Sequence, residues 1–317
     1  MTLGTTAPVV AARSLPGGAR PGRGASQRAA RRRRNGAALF ALPAFVWFVT
    51  FLVGPLVSVF VISTMNTTTL IAKSDFVGLS NFQRVFADKE FWAAFGNTAL
   101  QIAIVVPVMV ALGFMLGYYL FLRPPFAGAL RIIFFTSSLL SVSTKAMIFY
   151  ALLAPDGLVN QLLRGLGLDA FATSWLANKA TALPVIMAVD LWSGVGFLAI
   201  LFSAQLTSVS GEIIEASRID GCGHWRSMWH VAFGMLQGFI GVIAMLQFLW
   251  TLFLSATTVL LLTKGGPGTS SQTLSYLIYS KAFEQSDIGY SQAVGVILFF
   301  TGVIGAFLIR KILRSRV

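Results

Sequence analysis

The chain has 317 residues, 56% of them hydrophobic and only 11% charged, with a formal net charge of +13. A soluble domain usually carries about 25% charged residues, so this chain cannot clothe a large core against water. Its composition excludes an ordinary soluble fold and points to the bilayer as its solvent.

Residues 1–35 are rich in Arg, Gly, Ala and Pro and end near Arg31-Arg32-Arg33-Arg34. They read as a disordered basic cytoplasmic tail. The next stretch has no charge from Ala37 to Asn66. It is longer than the roughly 7–15 residues of a signal-peptide core, so an uncleaved first span is expected at about 37–64. A basic run abutting a span marks a cytoplasmic flank, which explains the charge without a nucleic-acid partner.

Five more apolar runs follow at about 99–122, 132–154, 181–206, 231–263 and 290–308. Each can cross a hydrocarbon core, which takes about 20 helical residues. The runs are continuously apolar and not alternating, so helices are predicted in place of barrel strands. The fold class is therefore all-α integral membrane, with six transmembrane helices in one domain over 36–317. With the N-terminus inside, the inner segments hold 16 Lys and Arg against three acidic residues, and the outer loops hold seven of each. That bias predicts that both termini are cytoplasmic.

Between the first two spans, Phe82, Phe86, Trp92 and Phe95 alternate with Gln83, Arg84, Asp88 and Lys89. This mixture predicts a helix lying in the outer interface, and residues 160–168 resemble it. Two ionisable residues fall within spans, Lys145 in the third and Asp190 in the fourth. Counted at 1.5 Å per residue from the outer ends, both lie roughly 15 Å deep. Either they share an ion pair or water-lined site, or each has separate polar neighbours. The fifth span carries an unusually polar patch at Ser255, Thr257 and Thr258.

The loop between spans four and five, 207–234, holds the clearest signal. Ser210 can cap a helix with Glu212 in its first turn. Ile213, Ala216 and Ile219 then share a face, Gly221 and Gly223 break the helix, and Trp225, Met228, Trp229 and Ala232 begin another. An apolar face on a cytoplasmic element predicts protein docking. The single Cys222 excludes an internal disulfide, and His224 and His230 lack a zinc spacing. No phosphate-binding G-x-x-x-x-G-K-[ST] string is present, so any ATP would be used by another chain.

Glu215-Ala216-Ser217 followed by Asp220-Gly221-Cys222 resembles the E-A-A-x-x-D-G-A motif of binding-protein-dependent ABC importer permeases. Leu262-Thr263-Lys264-Gly265-Gly266-Pro267-Gly268 is similar to the L-T-x-G-G-P outer loop of their carbohydrate-importing branch. Phe76-Val77-Gly78-Leu79-Ser80-Asn81-Phe82, Gly157-Leu158-Val159-Asn160 and Asp287-Ile288-Gly289-Tyr290 agree, and the resemblance spans about 38–310. The family usually has alanine where Ser217 and Cys222 stand, Leu-Pro where Phe233-Gly234 stand, and often proline in place of Ser210.

The resemblance implies a type I importer architecture and a multi-pass location in a bacterial or archaeal plasma membrane. It implies a non-catalytic translocation subunit, with Glu215, Ala216, Ser217, Asp220, Gly221 and Cys222 forming the coupling helix that sits in an ATPase cleft. The implied partners are a second homologous permease, an ATPase dimer, an extracytoplasmic solute-binding protein and membrane lipid, with no nucleic acid. No cofactor is expected in this chain; ATP and Mg belong to the ATPases. The solute would be a sugar or of glycerol-phosphate type. Aromatic faces with amides or carboxylates hold sugars, so Trp192, Gln247, Trp250 and Gln272 join Lys145 and Asp190 as pathway candidates. The alternative is a secondary transporter or channel for a small polar solute, which would need no ATPase and often shows inverted repeats.

Overall fold

The computed structural model describes residues 42–68, 74–209, 213, 219 and 221–313. The first helix, α1, covers Leu42–Ile62 and widens to a π-turn at Val49–Val53. The described residues up to Val57 belong to a unit of their own, in which Phe45, Trp47 and Phe51 are all exposed. A helix apolar all round is stable only inside a membrane or a large core.

The second unit starts at Ser58. Phe60 meets Phe299 and Phe300 edge-on, with ring centroids 5.8 and 6.0 Å away. Strands β1 (Met65–Asn66) and β2 (Asp75–Phe76) pair antiparallel. Helix α2 follows at Ser80–Ala87, tied back by the Asn81 amide, which donates to the Ser63 and Met65 carbonyls at 2.9 Å each.

Helix α3, Lys89–Phe121, is the second span. It starts about ten residues before the apolar run because the Asp88 carboxylate accepts from the Glu90 N–H at 2.8 Å, a strong N-cap. Trp92 and Phe95 therefore ride on the span itself and do not share one lying helix with Phe82 and Phe86. The aromatic grouping survives around Phe91, whose ring is 5.9 Å from Phe86 and 5.3 Å from Trp92.

The third span differs from the straight crossing expected over 132–154. It is two helices, α4 (Ala127–Leu139) and α5 (Val142–Leu152), meeting at 98°. Leu140 is extended (φ −68°, ψ 139°), and the Ser141 hydroxyl accepts from the Thr144 N–H at 3.1 Å, so a new helix begins. Hydropathy cannot register a cap made by one hydroxyl. Ser141→Ala is expected to cost about 1 kcal/mol, lowering the melting temperature of the purified chain by roughly 2 °C in a detergent thermal scan.

Helix α6, Leu158–Gly165, is the short amphipathic segment expected there. Its Asn160, 1% exposed, donates to the Thr173 carbonyl at 2.9 Å and accepts from the Trp175 indole at 2.9 Å. Helix α7 spans Ala182–Val209, and α8 spans His224–Leu262 with a π-turn at Ser227–Ala232. After α9 (Leu274–Tyr279) the chain enters the last span, α10 (Ile288–Ile312). Among the described residues, five helices can cross a membrane, or six counting the bent pair.

The core forms where α3 packs on α7. Cβ atoms added at Gly113 and Gly117 would lie 2.6 Å from the Cβ atoms of Leu198 and Phe202. This small-x-x-x-small spacing lets two backbones approach closely, the usual basis of helix association in lipid. A Cβ on Gly196 of α7 would intrude on the Phe134 carbonyl of α4, so α4 is seated there with no room to spare.

Candidate functional site

Four spans converge on Asp190. From α3, the Gln101 amide donates to one carboxylate oxygen at 2.8 Å. From α8, the Thr258 hydroxyl reaches the other at a marginal 3.5 Å. On α5, Ala146, the residue after Lys145, shares a buried apolar cluster with Val189 of α7 and Val259 of α8, but no direct ion pair joins Lys145 to Asp190 among the described residues. Asp190 thus has polar neighbours of its own in Gln101 and Thr258. Gln101 and Thr258 were not legible as site residues. A glutamine within an apolar run is a signal that could have singled out Gln101.

Trp192, 44% exposed, stands edge-on to Phe149, with ring centroids 5.2 Å apart. Phe149 is one turn beyond Lys145 and also lines a cavity of about 300 Å³, with Leu153, Val159, Trp175, Pro184 and Val185 among its walls. The lining is apolar apart from Thr181. Gln247 is half-buried on α8 and Trp250 is 65% exposed.

Gln272 belongs elsewhere. Its side chain donates to Glu90 at 2.8 Å, and its carbonyl accepts from Asn97 at 2.9 Å. The 262–274 loop is clamped onto the start of α3, with the Leu274 N–H donating to the Thr98 hydroxyl at 2.9 Å. Lys264 and Gly265 both adopt positive φ (50° and 77°), and a Cβ at Gly265 would press to 2.9 Å of the Tyr276 ring. Around Glu90 a charge network forms. Lys281 donates to Glu90 at 2.6 Å and Tyr290 to Asp88 at 2.7 Å, while Arg84 pairs with Asp287. The Ser255 hydroxyl joins Ser275 at 2.8 Å and Thr273 at 3.1 Å, so this part of the polar patch binds α8 to the same loop.

Of the six residues expected to form a coupling helix, Glu215, Ala216, Ser217 and Asp220 lie outside the described residues. Gly221 has φ +83° with open space around its Cβ position, so a bend made by glycine does occur there; Cys222 is partly exposed. Past the bend, Met228 and Ala232 are buried while Trp225 is 65% exposed. Trp229 packs on Phe114 and Phe233, with centroids 5.8 and 5.7 Å away. The π-turn ends just before Phe233-Gly234. Among the described residues no group of His, Cys, Asp or Glu could hold a metal ion.

Residues 109–317 match the family described as binding-protein-dependent transport system inner membrane component. The probable ABC transporter permease protein YurN of Bacillus subtilis (strain 168) is 30% identical over 265 residues, covering 82% of this chain and 89% of the relative. The diacetylchitobiose uptake system permease NgcF of Streptomyces coelicolor is 32% identical, with coverage of 74% and 70%. The multiple sugar-binding transport system permease MsmF of Streptococcus mutans is 31% identical, with coverage of 85% and 95%. A crystal structure of a bacterial ABC transporter that imports the acidic polysaccharide alginate aligns with a TM-score of 0.78 at 18% identity, over 91% of this chain and 99% of that one.

Proposed function

The chain belongs to the family of binding-protein-dependent transport system inner membrane components, and from that premise we propose which solute it carries, which partners it needs and which residues do the work. It is a multi-pass plasma-membrane protein and the transmembrane subunit of an ABC importer. Membership retires the secondary transporter and channel readings.

The solute is an oligosaccharide or related sugar. Relatives named for diacetylchitobiose, multiple sugars and lactose favour that class over a glycerol phosphate. The observation that carries the reading is the convergence of four spans on Asp190, beside an aromatic wall of Phe149 and Trp192. Hydroxyl-rich solutes suit a carboxylate paired with ring faces. Gln247 and Trp250 extend the pathway along α8, whereas the bonds of Gln272 support a bracing role at its outer end.

This chain performs no catalysis; ATP and Mg are handled by an ATPase dimer, beside a second homologous permease and an extracytoplasmic solute-binding protein. Both termini face the cytoplasm, which puts 207–234 on the ATPase side. There Glu215, Ala216, Ser217, Asp220, Gly221 and Cys222 form the coupling element. Its motion enters the span through Trp229, which sits between the bend at Gly221 and the Phe114–Phe233 packing.

Purified from native membranes, the tagged chain should bring down an ATPase and a second permease. Vesicles holding that complex should take up sugar only with ATP and the binding protein present. Glu215→Lys should cut uptake at least tenfold, equivalent to about 1.4 kcal/mol of coupling, at an unchanged membrane level. Uptake that persists without an ATPase would overturn the reading.

A further inference from the structure

The Gln101 side chain is completely buried, and its amide oxygen has no hydrogen-bond partner. The same amide donates through its nitrogen to Asp190, so the unpaired oxygen sits beside a carboxylate that is itself short of donors. Asp190 has one good bond and one at 3.5 Å, where an ionised carboxylate offers about four acceptor positions. Two acceptors left unsatisfied side by side within a membrane span are costly. Lys145 follows α5 into this region, next to Ala146 in the buried cluster with Val189 and Val259; its ammonium carries three donors and makes no direct ion pair among the described residues.

Lys145 is also placed to move. It lies on α5, beyond the 98° break, on a helix where Ala146 is the one buried residue. The other half of that span is fixed separately, with α4 seated against Gly196. A new Lys145 rotamer, or a pivot of α5 about the extended Leu140, would carry the ammonium toward the pair.

We propose that Lys145, Asp190 and Gln101 form a latch that is open in this conformation and closed in the opposite state of the transport cycle, with the Lys145 ammonium bridging the carboxylate and the Gln101 oxygen. Closing it ties α5 to α3, α7 and α8 at one depth. The latch supplies a contact that exists in one state only, which is what biases a two-state transition. The inference rests on the importer reading, but it does not depend on which solute is carried.

The assembled importer tests it with Lys145→Cys and Asp190→Cys in a Cys222→Ser background, joined by a thiol-reactive linker about as long as a lysine side chain. Cross-linking should differ at least fivefold between the nucleotide-free complex and the complex trapped with ATP and vanadate. Equal cross-linking in both states, or none in either, overturns the latch. In a second arm, Lys145→Gln and Gln101→Leu should each reduce uptake severalfold at normal protein levels, and together no more than either alone. Additive losses, or losses that track protein level, would mark a merely structural role. ATP-driven uptake by the unmodified complex is the control, so a failed latch with intact uptake leaves the importer reading standing.

Discussion

Gly196→Ala is expected to destabilise the chain by about 3 kcal/mol, the upper end of ordinary overpacking. On open helix surface the same change would gain up to about 1 kcal/mol from helix propensity, so packing decides the sign. The added methyl would meet the Phe134 carbonyl oxygen, a backbone atom that cannot swing aside as a side chain would. Gly194 shows the contrast, because its Cβ would meet only the flexible end of Met109, with Sδ at 2.6 Å. Gly238, with nothing within 4 Å of its Cβ position, is the control. Thermal scans and folded yield should fall sharply for Gly196→Ala and hold for Gly238→Ala; equal behaviour would show that α4 is not held where described.

Lys281→Met should cost about 2–3 kcal/mol, somewhat below the roughly 3–5 kcal/mol for breaking a fully buried pair. The Lys281 side chain is 12% exposed and its partner Glu90 is 28% exposed. Nζ lies 2.6 Å from Glu90, 3.1 Å from Gln285 and 3.9 Å from Asp88. Without the ammonium, Glu90 and Asp88 have no cation between them, and the N-terminal end of α3 loses one of its ties to the segment after α9. Glu90→Gln in the Lys281→Met background removes one of the opposed charges and should recover part of the loss, which a double-mutant cycle on thermal stability would measure. If Lys281→Met is neutral, the network is surface decoration.

Ser141 illustrates why part of the fold was hidden. Hydropathy over 132–154 is one continuous signal, yet a single hydroxyl accepting one N–H turns the chain through 98°. Likewise the start of α3 was set by Asp88, a cap inside a polar stretch that reads as loop. Gln101 shows the limit for the site. Its importance comes from Asp190, 89 positions away, a distance in sequence that no local pattern spans. The bond of Gln272 was hidden for the same reason, since its partner Glu90 is 182 positions away.

Burial in lipid, the helical character of the spans and the family were all decided by the order of residues alone. Each depends on composition or on short-range spacing, which a chain carries whether or not it is folded. Tertiary structure alone decided the break in the third span, the near-contact of α7 with the α4 backbone at Gly196, and the meeting of Gln101, Asp190 and Thr258 from three helices. Those features depend on which faces lie together. That is set by close packing among helices that lipid solvates equally well on every side.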